Sequence, residues 1–197
     1  MILELNQVLI EGEARTLSMI AETGRMTCIT GGTAERRSRW LLALLGFEPV
    51  CQGYVSIDGE PLTARTADDF RRQMSYSPRM LSAIGEVRVY EPPSVQDVFH
   101  LAANRDLPIS NGILAEEMRR IMACGLSSDA PLPEAEVGRV RLLAVASLLS
   151  KPIMLVDTPP DFSASYLRRQ AAGGKLVVVA SVDKALLAAS DVVVELT

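Results

Sequence analysis

Apolar residues along this chain fall into two rhythms. Short dense runs at residues 2–5, 16–21 and 25–30, and later at 73–77, 175–180 and 192–196, have the length of β-strands. Residues 152–157 are an almost unbroken apolar run, the pattern of a central parallel strand buried on both faces. Residues 53–59 alternate and close on Asp58 and Gly59, a strand ended by a turn. Between the runs lie helical patterns at about 37–45, 68–72, 163–172 and 183–189. The longest is 134–150, where Val137, Val140, Leu143, Ala144 and Leu148 recur at helical spacing. Gly173 and Gly174 end the helix before them. Strands alternating with helices predict a doubly wound α/β sheet.

The rhythm changes over residues 91–125. Ser94 is placed to cap one helix, reaching about residue 103, and Asn111 another, reaching about residue 124, with no strand pattern between them. This stretch predicts a helical subdomain inserted into a core formed by 1–90 and 126–197, so 1–197 is one domain. The 197 residues are enough for a sizeable core. Net charge of −4 argues against nucleic acid as a partner. Cys28, Cys51 and Cys124 are widely spaced and His100 stands alone, so no zinc or disulfide framework follows. Widely spaced free cysteines fit a reducing compartment. The opening MILELN has no basic stretch, which is unlike a signal peptide, and no apolar run is long enough to span a membrane.

Chemistry concentrates in residues 29–46, ITGGTAERRSRWLLALLG: an apolar strand, a glycine turn, then an apolar helix. That is the frame of the phosphate-binding loop G-x-x-x-x-G-K-[ST]. Gly31 fills the first glycine and Ser38 the final hydroxyl, with Gly32 in the turn. Arg36 stands at the second glycine and Arg37 at the lysine. A phosphate loop works by backbone N–H groups at a helix start, and glycine lets the backbone approach. Arg36 brings a long side chain there, and Arg37 is a bulkier, planar cation. Arg36, Arg37 and Arg39 crowd the start of a helix, where the dipole disfavours cations, so a bound anion or acidic partner would relieve them. The same residues also fit an ordinary strand-to-helix turn.

With this order in view, the chain resembles the ATP-binding cassette (ABC) ATPase subunits of membrane transporters over nearly its full length. The resemblance rests on GYVSIDGEPL at 53–62, RQMSYSPR at 72–79, PSVQDVF at 93–99, RLLAVASLLSKP at 141–152 and IMLVDTP at 153–159. It also rests on the closing strand, helix and strand over 177–196. It implies a P-loop NTPase-like sheet with an antiparallel β portion and the inserted helical subdomain. It also implies ATP and magnesium as ligands, and a transmembrane permease and a second cassette as partners. The implied location is cytoplasmic, on the inner face of the cell membrane.

Nearly every catalytic position departs from the family pattern. Asp157 matches the magnesium-linked aspartate, with Ser38 as its companion, but Thr158 fills the general-base slot. A neutral hydroxyl does not take a proton from water as a placed carboxylate does. The Q-loop slot is Arg79 and the switch-histidine slot is Val182 or Ser181. The signature slot reads Glu134, Ala135, Glu136, Val137 and Gly138, whose carboxylates would repel phosphate. No aromatic precedes Trp40, so the adenine-stacking residue is missing. Met80 and Leu81 are candidates for docking a partner. The expectation is a degenerate subunit that binds ATP weakly or not at all. The alternatives are a divergent but working ATPase and an interaction module outside transport.

Overall fold

The computed structural model describes residues 1–79, 111–126 and 134–197. Two sheets organise them. The first is antiparallel, in the order β2 (Leu17–Glu22), β1 (Ile2–Ile10), β4 (Val50–Ile57), β5 (Glu60–Pro61). The second is parallel, in the order β6 (Met74–Ser77), β7 (Ile153–Asp157), β8 (Leu176–Ala180), β3 (Met26–Thr30), β9 (Val192–Glu195). The antiparallel portion and the doubly wound sheet are both present, as the resemblance implied.

The parallel sheet is covered on both faces, and the side-chain period of two divides its residues between two cores. Ile153, Leu155, Val178 and Ala180 join the antiparallel sheet and α1 (Ala34–Leu44), where Trp40, Leu41 and Leu44 are buried. Met154, Val156, Val177 and Val179 face the other way. They meet α3 (Asn111–Met122), α4 (Glu134–Leu148), α5 (Ala164–Ala172) and α6 (Lys184–Ala189). The remaining helix, α2 (Ala67–Gln73), buries Phe70 in the first core.

A polar network ties α3 to the sheet domain inside the second core. The Tyr166 hydroxyl of α5 bonds the carboxylate of Glu117 in α3 and lies 2.5 Å from the Ser147 Oγ of α4. The Lys175 Nζ donates to the Ser147 carbonyl at 2.9 Å. Glu117, Ser147 and Tyr166 are all buried. Burial, helped by the Glu117 bond, pushes the Tyr166 hydroxyl far above its ordinary pKa, and burial lowers that of Lys175.

Several boundaries differ from the sequence expectation. β1 runs on to Ile10 through a bulge between Asn6 and Leu9, with Gln7 at φ +46°. Gly53 lies against that bulge, where a Cβ would come within 2.2 Å of the Asn6 carbonyl oxygen. The helix expected from about 37 begins instead at Ala34, because the Thr33 side chain caps it by accepting from the Arg36 N–H at 3.2 Å. A turn of 3-10 helix, Asp161–Ser163, precedes α5. The helix expected from Ser94 and the docking candidates Met80 and Leu81 lie outside the described residues.

Candidate functional site

The site is built at the carboxyl ends of β3, β7 and β8, where α/β sheets open a crevice. β3 leads into Gly31 and Gly32, which take φ of +81° and +60°. Gly31 is fixed there by close approach as well. A Cβ on it would meet the Leu196 carbonyl oxygen beyond β9 at 2.9 Å. Thr33 then starts α1, so Arg36 and Arg37 stand in its first turn, with Ser38 and Arg39 just behind.

The three arginines have different fates. The Arg36 guanidinium grips Glu13, with Nε to Oε1 and Oε2 at 3.0 and 2.8 Å and Nη2 to Oε2 at 2.6 Å. Its Nη2 also reaches the Thr197 carbonyl at 3.1 Å. This grip raises the Arg36 pKa. Arg39 donates to Glu48 at 3.0 Å and to the Glu11 carbonyl. Arg37 turns inward and is 4% exposed. Its Nη1 donates to the carbonyls of Gly31 and Gly32 at 3.0 and 2.9 Å, and its Nε has no partner.

Ser38 and Asp157 meet. The Ser38 Oγ is 2.5 Å from Asp157 Oδ2 and 2.9 Å from the Ala34 carbonyl. The buried Asp157 also accepts from the Thr158 hydroxyl at 3.0 Å and the Tyr76 hydroxyl at 3.4 Å. Burial first, and then the Asp157 charge, push the Tyr76 hydroxyl well above its ordinary pKa. Thr158 holds φ +50°, while its N–H donates to the Ala180 carbonyl at 2.9 Å. A β-branched residue in the left-handed region is strained, and such strain gathers at sites.

Arg79 crosses to α1, where its Nη2 donates to Glu35 Oε1 at 2.9 Å. Glu35 lies below the ordinary carboxylate range, chiefly through its own backbone N–H and then through Arg79. In the signature slot, Glu134 and Ala135 open α4, Glu136 pairs with Arg139, and Val137 and Gly138 follow on the same helix. Val182 is exposed at 56%. A cleft of about 560 Å³ joins Arg37, Glu136, Arg139, Thr158, Ser181 and Lys184.

The structure therefore brings Arg37, Ser38, Asp157 and Thr158 together, and Glu136 and Val182 onto the same cleft as Arg37 and Thr158. It commits Arg36, Arg39 and Arg79 to carboxylates. Tyr76 and Glu13 escaped the sequence reading. Tyr76 sits in RQMSYSPR, on a strand whose neighbour β7 carries Asp157, but nothing local shows that register. Glu13 lies far from Arg36 along the chain, so their pairing has no sequence signal.

Ser38 and Asp157 are hard oxygen donors of the kind magnesium takes. Among the described residues no group of three or more His, Cys, Asp and Glu is placed to hold a metal. The phosphate side does not fit. Two loop carbonyls point at a buried guanidinium, whereas a phosphate needs N–H donors there. Thr158, beside Asp157, carries a neutral hydroxyl that donates to that carboxylate.

No family model and no curated protein matches the sequence. Solved structures do match. An ATP-binding subunit of an ABC transporter is similar over 100% of this chain and 86% of its own, with TM-score 0.71 and 18% identity. An ABC transporter ATP-binding protein from Pyrococcus furiosus is similar over 100% of this chain and 98% of its own, with TM-score 0.71 and 14% identity. A bacterial Atm1-family ABC exporter with ATP bound matches 99% of this chain with 37% of its own, with TM-score 0.70 and 17% identity. The fold is that of ABC transporter ATP-binding subunits. Among the described residues no helix is long and apolar enough to cross a membrane.

Proposed function

We propose that this chain is a degenerate nucleotide-binding subunit of an ABC-type membrane transporter. In this reading it binds ATP weakly or not at all, hydrolyses none, and acts as a structural or regulatory partner on the inner face of the membrane. A permease subunit and a second cassette, identical or different, are its partners. The observation that carries the reading is the closed chemistry at Asp157. Its carboxylate takes hydroxyls from Ser38, Thr158 and Tyr76, and the general-base slot beside it is itself one of those donors. Loss of one placed catalytic group costs about 10²–10⁴-fold in rate, and several are changed here together.

One observation favours the divergent-ATPase alternative. Ser38 and Asp157 keep the oxygen pair that would hold magnesium, 2.5 Å apart. Turnover separates the two readings. The purified chain is expected to release phosphate from Mg-ATP at background rate, and calorimetry to show no saturation below millimolar ATP. Release above background that disappears in Asp157→Ala establishes the alternative. Affinity capture from native membranes is expected to recover a permease. Capture of soluble proteins alone supports the interaction module outside transport.

A further inference from the structure

One charge at the start of α1 lacks a counter-charge. Arg36 faces Glu13 and Arg39 faces Glu48, but Arg37 makes no ion pair among the described residues. It is also far more deeply buried than either, at 4% exposure. A buried guanidinium ordinarily pairs with a carboxylate or a bound anion. Its acceptors here are two successive peptide oxygens of its own loop, and its buried Nε is left without a partner. The opposite polarity suits a phosphate, for which N–H groups at a helix start must point inward.

We propose that Arg37 closes the phosphate loop from inside. Its Nη1 bridges the Gly31 and Gly32 carbonyls and holds both oxygens toward it, and a residue that releases them opens an oxyanion site at the start of α1. Three observations support this. The peptide joining Gly31 to Gly32 is flanked by two glycines at positive φ, so it can turn over with little steric cost. The space beside Arg37 exists already, in the cleft lined by Thr158, Ser181 and Lys184. The helix behind the loop is well formed, capped by Thr33 and anchored by Trp40, Leu41 and Leu44, so opening the loop does not require unfolding α1. Arginine suits the closed state because its Nη1, held rigidly in the guanidinium plane, serves both carbonyls. A lysine offers a compact ammonium on a flexible stem, which can leave them for an anion.

This inference rests on reading the chain as a non-hydrolysing subunit and names what keeps its site shut. The test uses inorganic pyrophosphate, followed by calorimetry and thermal shift on the purified full chain. The native chain is expected to show no saturation in the millimolar range. Arg37→Lys is expected to bind at least about tenfold more tightly. Arg37→Gln, which removes the charge and the fork, is a second route to the open loop and is expected to bind more weakly than Arg37→Lys but measurably. Arg39→Lys, which leaves the bridge intact, is expected to behave as native. Circular dichroism establishes that each variant is folded. Native binding as tight as that of Arg37→Lys overturns the proposal, because Arg37 then holds the anion instead of excluding it. Silence from both folded Arg37 variants overturns it as well. ATP turnover by the native chain would refute the non-hydrolysing reading, an outcome distinct from either of these.

Discussion

Two buried polar centres lie on opposite sides of the parallel sheet, and they are built differently. In the Glu117 centre, groups from three helices meet with every acceptor served: a tyrosine and a serine face one carboxylate, and Lys175 caps the serine carbonyl. In the Asp157 centre, the groups come from the start of α1, from strand ends and from a turn. Thr158 sits there at φ +50° and Arg37 has an unpartnered Nε nearby. A satisfied network fixes a packing arrangement, and its removal is paid in stability. A partly satisfied and strained one at strand ends has the character of a ligand site, here turned in on itself.

This contrast predicts a ranking of effects. The largest belongs to the Glu117 centre. Tyr166→Phe leaves a buried carboxylate without its main donor and should cost about 2–3 kcal/mol in urea unfolding. A loss below about 1 kcal/mol would mean that Ser147 and Arg120 already satisfy Glu117. In the Asp157 centre, Ser38→Ala should cost only about 1 kcal/mol, because Thr158 and Tyr76 still donate to the carboxylate.

Relief of strain should run the other way. Thr158→Asn places a residue that tolerates the left-handed region and should raise stability by about 1 kcal/mol. Destabilisation by that change would show that the Thr158 hydroxyl matters more than its backbone.

A smaller effect concerns acid. Asp191 is held below its ordinary value of 3.8 by Arg168 first and then by the Met26 N–H. Its folded-state pKa is depressed, so its contribution is complete above pH 3.8 and fades as pH falls through the lower folded value. Asp191→Asn should flatten that acid limb of the stability curve, and an unchanged limb would remove Asp191 from the account. The smallest effect leaves stability untouched. Burial pushes the Cys28 thiol up to about 11, whereas Cys51 is exposed. A thiol reagent at neutral pH should label Cys51 in the native state and reach Cys28 only on unfolding, as peptide mass mapping would show.

Much of this molecule was legible in the chain. Apolar runs at β3, β7 and β8, and the helical spacing over α4, placed the parallel sheet and its covering helix to within a few residues. Burial of nearly every residue of these strands on both faces leaves that signature without help from distant parts of the chain. The glycine turn before α1 and the substitutions at Arg36, Arg37 and Thr158 were also visible, because each is a residue type read against a fixed local spacing. The tertiary structure decided which of those residues meet. Arg36, Arg37 and Arg39 look alike in sequence, yet Glu13, Glu48 and the loop carbonyls each claim one. Tyr76 reaches Asp157 only through the register of two strands far apart in the chain. Strand identity follows from local burial periodicity, whereas a side chain's partner depends on through-space distance, and that is set only when the sheet and its helices have packed.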